Sequence, residues 1–297
     1  MSDKLKSFRS IEFKDREILE AFFTKYDKAY SIYNFANLFL WSRHHQYKWS
    51  IYMDRLLLYT EYDDMAAMPL GEDLPVKDLL RLSDELSSLG KKGNFCFTPP
   101  EYIEKNKDLS LYFDIQADEK NADYVYSTRK LFELSGKKLQ KKKNLLNQFQ
   151  RNNPNYICQK LVPEHYNECI DLTEKWCQDK TCDIVAFAYE TEALRAGCKH
   201  YRELGLEGLI ILIEGKVTAF AVFNRQNSNT ALVHFEKYDR DVKGAGQAIN
   251  WETAKRLLNE YEYLNREQDL GIEGLRQAKQ SYQPEFLALM YCLTRKG

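Results

Sequence analysis

The chain has 297 residues, 44% of them apolar and 29% charged, and a net charge of −1 at pH 7. This is the composition of a soluble globular protein with room for roughly two domains of ~150 residues. Nothing in the overall charge calls for a nucleic-acid or anionic membrane partner, so any such contact must come from a local patch. No run of ~18 apolar residues is present, and the first residues lack an apolar signal core, so no membrane span is expected. Seven scattered cysteines fit a reduced, cytoplasmic protein, and 20 tyrosines suit broad half-buried sheet and cleft surfaces.

Residues 10–26 predict a short strand and then a helix, because Ile18, Leu19, Phe22 and Phe23 share one helical face. Residues 30–41 predict a buried helix with Asn34 and Asn37 embedded in it. Residues 47–52, 55–62 and 65–68 read as three antiparallel strands, the first two joined at Met53 and Asp54. An amphipathic helix follows at 76–89, with Leu79, Leu82, Leu86 and Leu89 in register. Strands are expected at 95–98, 111–115 and 124–126, with a helical turn at 100–105.

The second half repeats this order. Helices are expected at 169–177 and 188–204. Strands 209–214 and 216–224 turn about Glu214-Gly215, and a third strand runs from 231 to 238. A glycine loop at 239–246, a helix from 247 to about 261 and a strand at 263–265 follow. Gly271 and Gly274 then open a second helix, Pro284 stops it, and residues 286–293 predict a final strand. Two helices, a three-stranded meander, then helix, strand, helix and strand therefore occur twice, which predicts an α/β protein with two copies of one mixed-sheet fold. The expected divisions are 1–126, a basic linker helix at 127–154, and 155–297. The groove between the copies is the expected acceptor site.

The copies differ in chemistry. After its meander the first offers only Met68-Pro69-Leu70-Gly71, and a proline there removes an N–H donor. The second has Lys243, Gly244 and Gly246 before its helix, where free N–H groups and the helix dipole favour an anion; a plain tight turn is the competing reading. In the linker, Ser135 can cap a helix whose first turns carry Lys137, Lys138, Lys141, Lys142 and Lys143. Lysines there oppose the helix dipole, so either a polyanion compensates or they form a solvated face. Glu236 and Lys237 end one strand, while Arg266, Glu267 and Asp269 end its neighbour. Adjacent strand ends converge, giving candidate acid, base and oxyanion-stabilising groups or a structural ion-pair network. The Cys177 and Cys182 spacing lacks a second ligand pair for zinc, and His234 reads as a packed histidine. No G-x-S-x-G, P-loop or dinucleotide fingerprint is present.

The run strand, glycine loop, helix, strand, helix, with Ala278-x-x-x-Tyr282-x-x-x-Phe286, resembles an N-acyltransferase of the GNAT type. The superfamily's loop carries Gln or Arg three residues before its first glycine, where this chain has Asp241. A broader resemblance rests on NREQDLGIEGLRQAKQSYQP, HFEKYDRDVKGAGQAIN, SIYNFANLFLW and SGKKLQKKKNLLNQF. These segments are similar to an uncharacterised bacterial family related to the C-terminal domain of phosphatidylglycerol lysyltransferase, which shares tandem GNAT-like domains with Fem-type aminoacyltransferases. The resemblance implies transfer of an aminoacyl group from charged tRNA to an amine or hydroxyl on a small molecule or lipid headgroup. Acyl-coenzyme A is the alternative donor, and a non-catalytic ligand-binding module is the alternative outside catalysis. Because its loop has no glycine pair and no basic residue, the first copy is expected to have a degenerate cofactor site and the second to hold the active site. Glu236 or Glu267 would be the base, Arg266 the oxyanion partner and Tyr282 the acid. Lys243, Gly244, Gly246, Lys141, Lys142, Lys143, Arg276 and Lys279 would hold the donor. No metal is expected.

Overall fold

The computed structural model describes residues 5, 7–176 and 184–297. The chain divides into two compact units, residues 1–122 with 288–297 and residues 123–287. The first unit contains β1 (Arg9–Ser10), α1 (Arg16–Tyr26), α2 (Phe35–His45), β2 (Tyr47–Tyr52), β3 (Arg55–Thr60) and β4 (Met65–Ala67). Next come α3 (Val76–Ser88), β5 (Phe95–Thr98), α4 (Pro100–Lys105), α5 (Leu109–Tyr112) and β6 (Phe113–Ala117). The second unit contains β7 (Asp123–Ser127), α6 (Thr128–Glu133), α7 (Gln140–Asn152), β8 (Ile157–Lys160), α8 (Tyr166–Trp176) and α9 (Ile184–Lys199). It continues with β9 (Glu207–Ile213), β10 (Lys216–Arg225), β11 (Thr230–Tyr238), α10 (Ala245–Leu257), β12 (Tyr263–Asn265), α11 (Glu273–Gln280) and β13 (Phe286–Ala288). The last strand, β14 (Tyr291–Arg295), belongs to the first sheet.

The repeat is visible in the sheet order. One sheet runs β1-β2-β3-β4-β5-β14-β6, and the other, read from its far edge, runs β8-β9-β10-β11-β12-β7-β13. In each, the fourth and fifth strands are parallel, β4 with β5 and β11 with β12. In each, the sixth place is filled by a strand out of chain order, β14 from after β6 and β7 from before β8. The predicted strand at 286–293 is therefore two short strands in different sheets. The sequence shows an apolar run there, but pairing partners far away in the chain decide where it breaks.

Local chemistry accounts for the other boundaries. Asn34 caps α2 by accepting from the Asn37 N–H, and Ser127 caps α6. The basic stretch is two helices separated by Gly136 in the left-handed region, so Lys137 and Lys138 precede α7 and Ser135 does not cap it. Leu146 and Phe149 of α7 enter the core of the second unit with Tyr124, Tyr126, Ile249 and Leu257. The predicted end of the helix at 169–177 and the Cys177 and Cys182 pair lie outside the described residues. Among those described, no helix is long and apolar enough to cross a membrane.

Gly244 caps α10 at φ 86°, and a Cβ there would stand 2.5 Å from the Leu145 carbonyl oxygen and 2.9 Å from Phe149 Cβ. Its role is close packing of the loop on α7 as well as turning the chain. Gly244→Ala should destabilise the second unit by about 2–4 kcal/mol in denaturant titration, since neither backbone oxygen nor core ring can move aside. Gly215→Ala meets open space and should cost only ~1 kcal/mol for its left-handed backbone.

Candidate functional site

The second sheet opens where β11 and β12 part. Their parallel pairing runs only through Thr230↔Tyr263, Ala231↔Leu264 and Leu232↔Asn265. Beyond it, β11 continues to Tyr238 without that neighbour, and the chain after β12 turns away with Glu267 at φ 55°. Which face each β11 side chain takes is set by a bulge. Val222 of β10 pairs with Phe235 and Phe223 pairs with Val233, so His234 is the extra residue. Glu236, opposite Ala221, thereby lies on the core face with Val233, and His234 lies on the other face with Asn224.

On the core face, Arg266 Nη2 donates to Glu236 Oε1 at 2.7 Å, and Asn250 Nδ2 of α10 approaches Glu236 Oε2 at 3.3 Å. Both partners of the ion pair are 13% exposed at the side chain, so the pair is largely removed from water. The guanidinium stands 5.2 Å from the Tyr282 ring centre and 5.5 Å from that of Tyr126. Arg266 Nη1 is buried without a partner among the described residues. Lys142 of α7 places its ammonium 4.3 Å from the Tyr282 ring centre. Burial, and then the charge of Arg266, pull the Lys142 pKa below the usual lysine range. Burial holds the Tyr282 hydroxyl proton more tightly than in an ordinary tyrosine, with Arg266 opposing. The cluster thus has two cations, one carboxylate and one neutral phenol, an excess of positive charge in a poorly solvated wedge.

On the opposite face, His234 Nδ1 lies 3.1 Å from Glu267 Oε1 and Nε2 lies 3.0 Å from Asn224 Oδ1. Asn265 Nδ2 donates to Asp123 and to Gln226, and its Oδ1 accepts from the Glu267 N–H. Lys279 is buried and donates to the carbonyls of Arg266, Glu267 and Gln268 at 2.5, 2.9 and 2.5 Å. An ammonium has three N–H groups, so none is left for a ligand. Burial and then Arg266 push its pKa down to about 8. Arg276 is bound to Asp269, which also accepts from Tyr124 and from the Gly271 N–H.

Of the residues expected at the site, Glu236, Arg266, Tyr282 and Lys142 therefore come together. Glu267 sits on the other face of the sheet. Arg276 and Lys279 hold the loop after β12. Lys141, Lys143 and Lys243 are exposed to solvent. Gly244 and Gly246 pack closely, since a Cβ on Gly246 would meet the Tyr238 ring at 2.6 Å. Asp241 is exposed and ion-paired with Lys175. Sequence reasoning missed Tyr126, which lies on β7 beside β12 in the second sheet, and Asn250, which is buried on α10. No cluster of three or more His, Cys, Asp or Glu side chains suited to a metal is found among the described residues. In the first unit the corresponding opening is lined by Tyr30, Tyr33, Phe97 and Tyr102, and the hydroxyls of Tyr30, Tyr33 and Tyr102 bond to backbone carbonyls.

The family model described as "Phosphatidylglycerol lysyltransferase, C-terminal" matches residues 23–294. The chain belongs to that family. It is similar to a conserved protein of unknown function from Bacteroides thetaiotaomicron, at 33% identity and TM-score 0.88, over 97% of this chain and 99% of that one. The L-PGS structure from Bacillus licheniformis matches at 16% identity and TM-score 0.63, over 97% and 94% of the two chains. FemX matches at 7% identity and TM-score 0.62, over 98% of each chain. At these identities the last two show the fold alone. A Mycoplasmoides gallisepticum protein is 26% identical over 197 residues, 64% of this chain and 60% of that protein.

The Asp269 tether gives a pH test. Burial works against its charge, but Arg276, Tyr124 and the Gly271 N–H outweigh burial and hold its pKa below the usual aspartate value. A carboxylate with a depressed folded pKa contributes stability above its unfolded value, and that contribution disappears as pH falls through the folded one. Asp269→Asn should therefore be less stable than the parent at pH 7, and the gap in melting temperature should close below about pH 4. A gap that is constant with pH would rule out the carboxylate as its source.

Proposed function

We propose that the protein is an acyltransferase that moves an aminoacyl group from charged tRNA to an amine or hydroxyl, and that the core-face wedge of the second unit is its active site. The observation that carries this reading is the buried, unpartnered Arg266 Nη1 beside Tyr282 and Lys142. Acyl transfer creates negative charge on the former carbonyl oxygen, and fixed cations in a dry site stabilise that charge more than they stabilise the neutral ester. Family membership and the tandem GNAT-like fold support the same class of chemistry.

In this mechanism the acceptor's lone pair attacks the ester carbonyl carbon, and the carbonyl π electrons move onto oxygen. Arg266 and Lys142 face that oxyanion. Its collapse breaks the bond to the ribose oxygen, which takes the Tyr282 proton. Glu236 accepts the proton lost by the acceptor and returns it to Tyr282. No covalent enzyme intermediate is involved. The exposed Lys137, Lys138, Lys141 and Lys143 lie before and along the first turn of α7, the same helix that carries Lys142, and suit the phosphates of an acceptor stem. The acceptor is a small molecule or a lipid headgroup presented to the cleft. Asp241, in place of Gln or Arg, disfavours coenzyme A as the donor.

With charged tRNA as donor and a panel of amines and hydroxyls as acceptors, Tyr282→Phe should lower kcat by about 10²-fold. Arg266→Lys keeps the charge but loses the fork, and should lower kcat by about 10²–10³-fold. Full activity in both would exclude this site. Transfer from acyl-coenzyme A alone would reassign the donor, and ligand binding without transfer would leave a binding module. Lys141→Ala with Lys143→Ala should weaken tRNA binding and reduce the slope of log affinity against log salt by about 1–2.

A further inference from the structure

The ladder between β11 and β12 ends at Leu232↔Asn265, yet the chain on both sides of the opening is held in place. His234 is the residue that the β10–β11 register leaves out. Its imidazole is fully buried and joins three segments, with Asn224 of β10 on Nε2 and Glu267 beyond β12 on Nδ1. Glu267 is itself fixed: its N–H goes to Asn265 Oδ1, and its carbonyl accepts from the Tyr124 N–H and Lys279. Two residues after His234 stands Glu236, and one before Glu267 stands Arg266. These two meet on the other face of the same opening. The wedge is thus crossed twice, once on each face, by pairs of neighbouring residues.

We propose that His234 is a positioning residue: by bonding to Glu267 it sets how far β11 and the chain after β12 stand apart, and so holds Arg266 against Glu236. The consequence for transfer rests on the function proposed above; the brace itself does not. A bulged residue held only by packing would be replaceable by any side chain of similar volume. A brace requires a donor at the Nδ1 position, because Glu267 offers an acceptor oxygen there. Asparagine places its amide near Nδ1 of histidine and glutamine places it near Nε2, so the two variants separate the contacts.

The test is hydrogen exchange of the segment 263–270, measured on the full chain with His234→Asn, His234→Gln and His234→Leu. The brace predicts that Asn stays within about twofold of the parent, while Gln and Leu exchange about tenfold faster, the effect of one lost buried bond to a charged group. Strands β9 and β10 should be unaffected. Glu267→Gln, which weakens the brace from its other end, should reproduce His234→Gln. Leu equal to Asn, or Gln equal to the parent, would overturn the proposal and leave only packing. In transfer assays the same order should appear in kcat, with KM little changed. If the parent transfers nothing from any donor, the functional reading fails, while the order of exchange rates still decides on the brace.

Discussion

Two parallel strands that separate after three paired residues leave backbone groups without their partners across the opening, and this constraint shapes the second unit. A buried, unpaired N–H or C=O costs a few kcal/mol. The chain meets that cost with side chains. Lys279 serves three consecutive carbonyls, Asn265 serves the Glu267 N–H, and Asp269 serves the Gly271 N–H. The Arg266 N–H returns to the ladder through the Tyr124 carbonyl of β7. With the backbone secured in this way, the opening is a rigid feature able to present one arginine at a defined angle.

The charges that do this work are themselves costly to bury. Ion pairs in poorly solvated places break even at best against apolar packing, so their presence is weak evidence of a stability role. Here they come in two groups with different degrees of completion. On one side, Lys279, Asp269 and Arg276 are bonded to the chain, and Glu267 and His234 are bonded to each other. On the other, Glu236 neutralises one of two cations, and one guanidinium nitrogen is left over. The completed group holds the loop, and the incomplete one is where a ligand's oxygen would lower the energy. That asymmetry, more than any single residue, supports the proposal of a site on the core face.

Much of the fold was legible because hydrophobic periodicity and turn residues act locally. The 216–224 strand, the Glu214-Gly215 turn and the 263–265 strand follow from alternation and from left-handed positions. The repeat followed from their order. What was not legible depends on pairing across the chain. Nothing near residue 289 says that the strand must divide between two sheets, and nothing near Tyr124 or Tyr126 says that they sit beside Arg266. Strand alternation also places His234 and Glu236 on one face, and only the bulge separates them. The meeting of charged strand ends was legible, since Glu236 and Arg266 do come together. Its members needed the structure, because Glu267, Lys279 and Arg276 have the chemistry of site residues but are bonded to the chain itself.

The central claim is that the wedge between β11 and the chain after β12 receives an ester carbonyl at Arg266. The most direct measurement is a crystal structure with a stable analogue of the charged tRNA terminus, a 3′-aminoacyl-adenosine joined by an amide. The account predicts its carbonyl oxygen within hydrogen-bond distance of Arg266 Nη1, with the Tyr282 hydroxyl at the ribose side. An analogue bound elsewhere in the second unit, with Arg266 Nη1 left unpartnered, would contradict it.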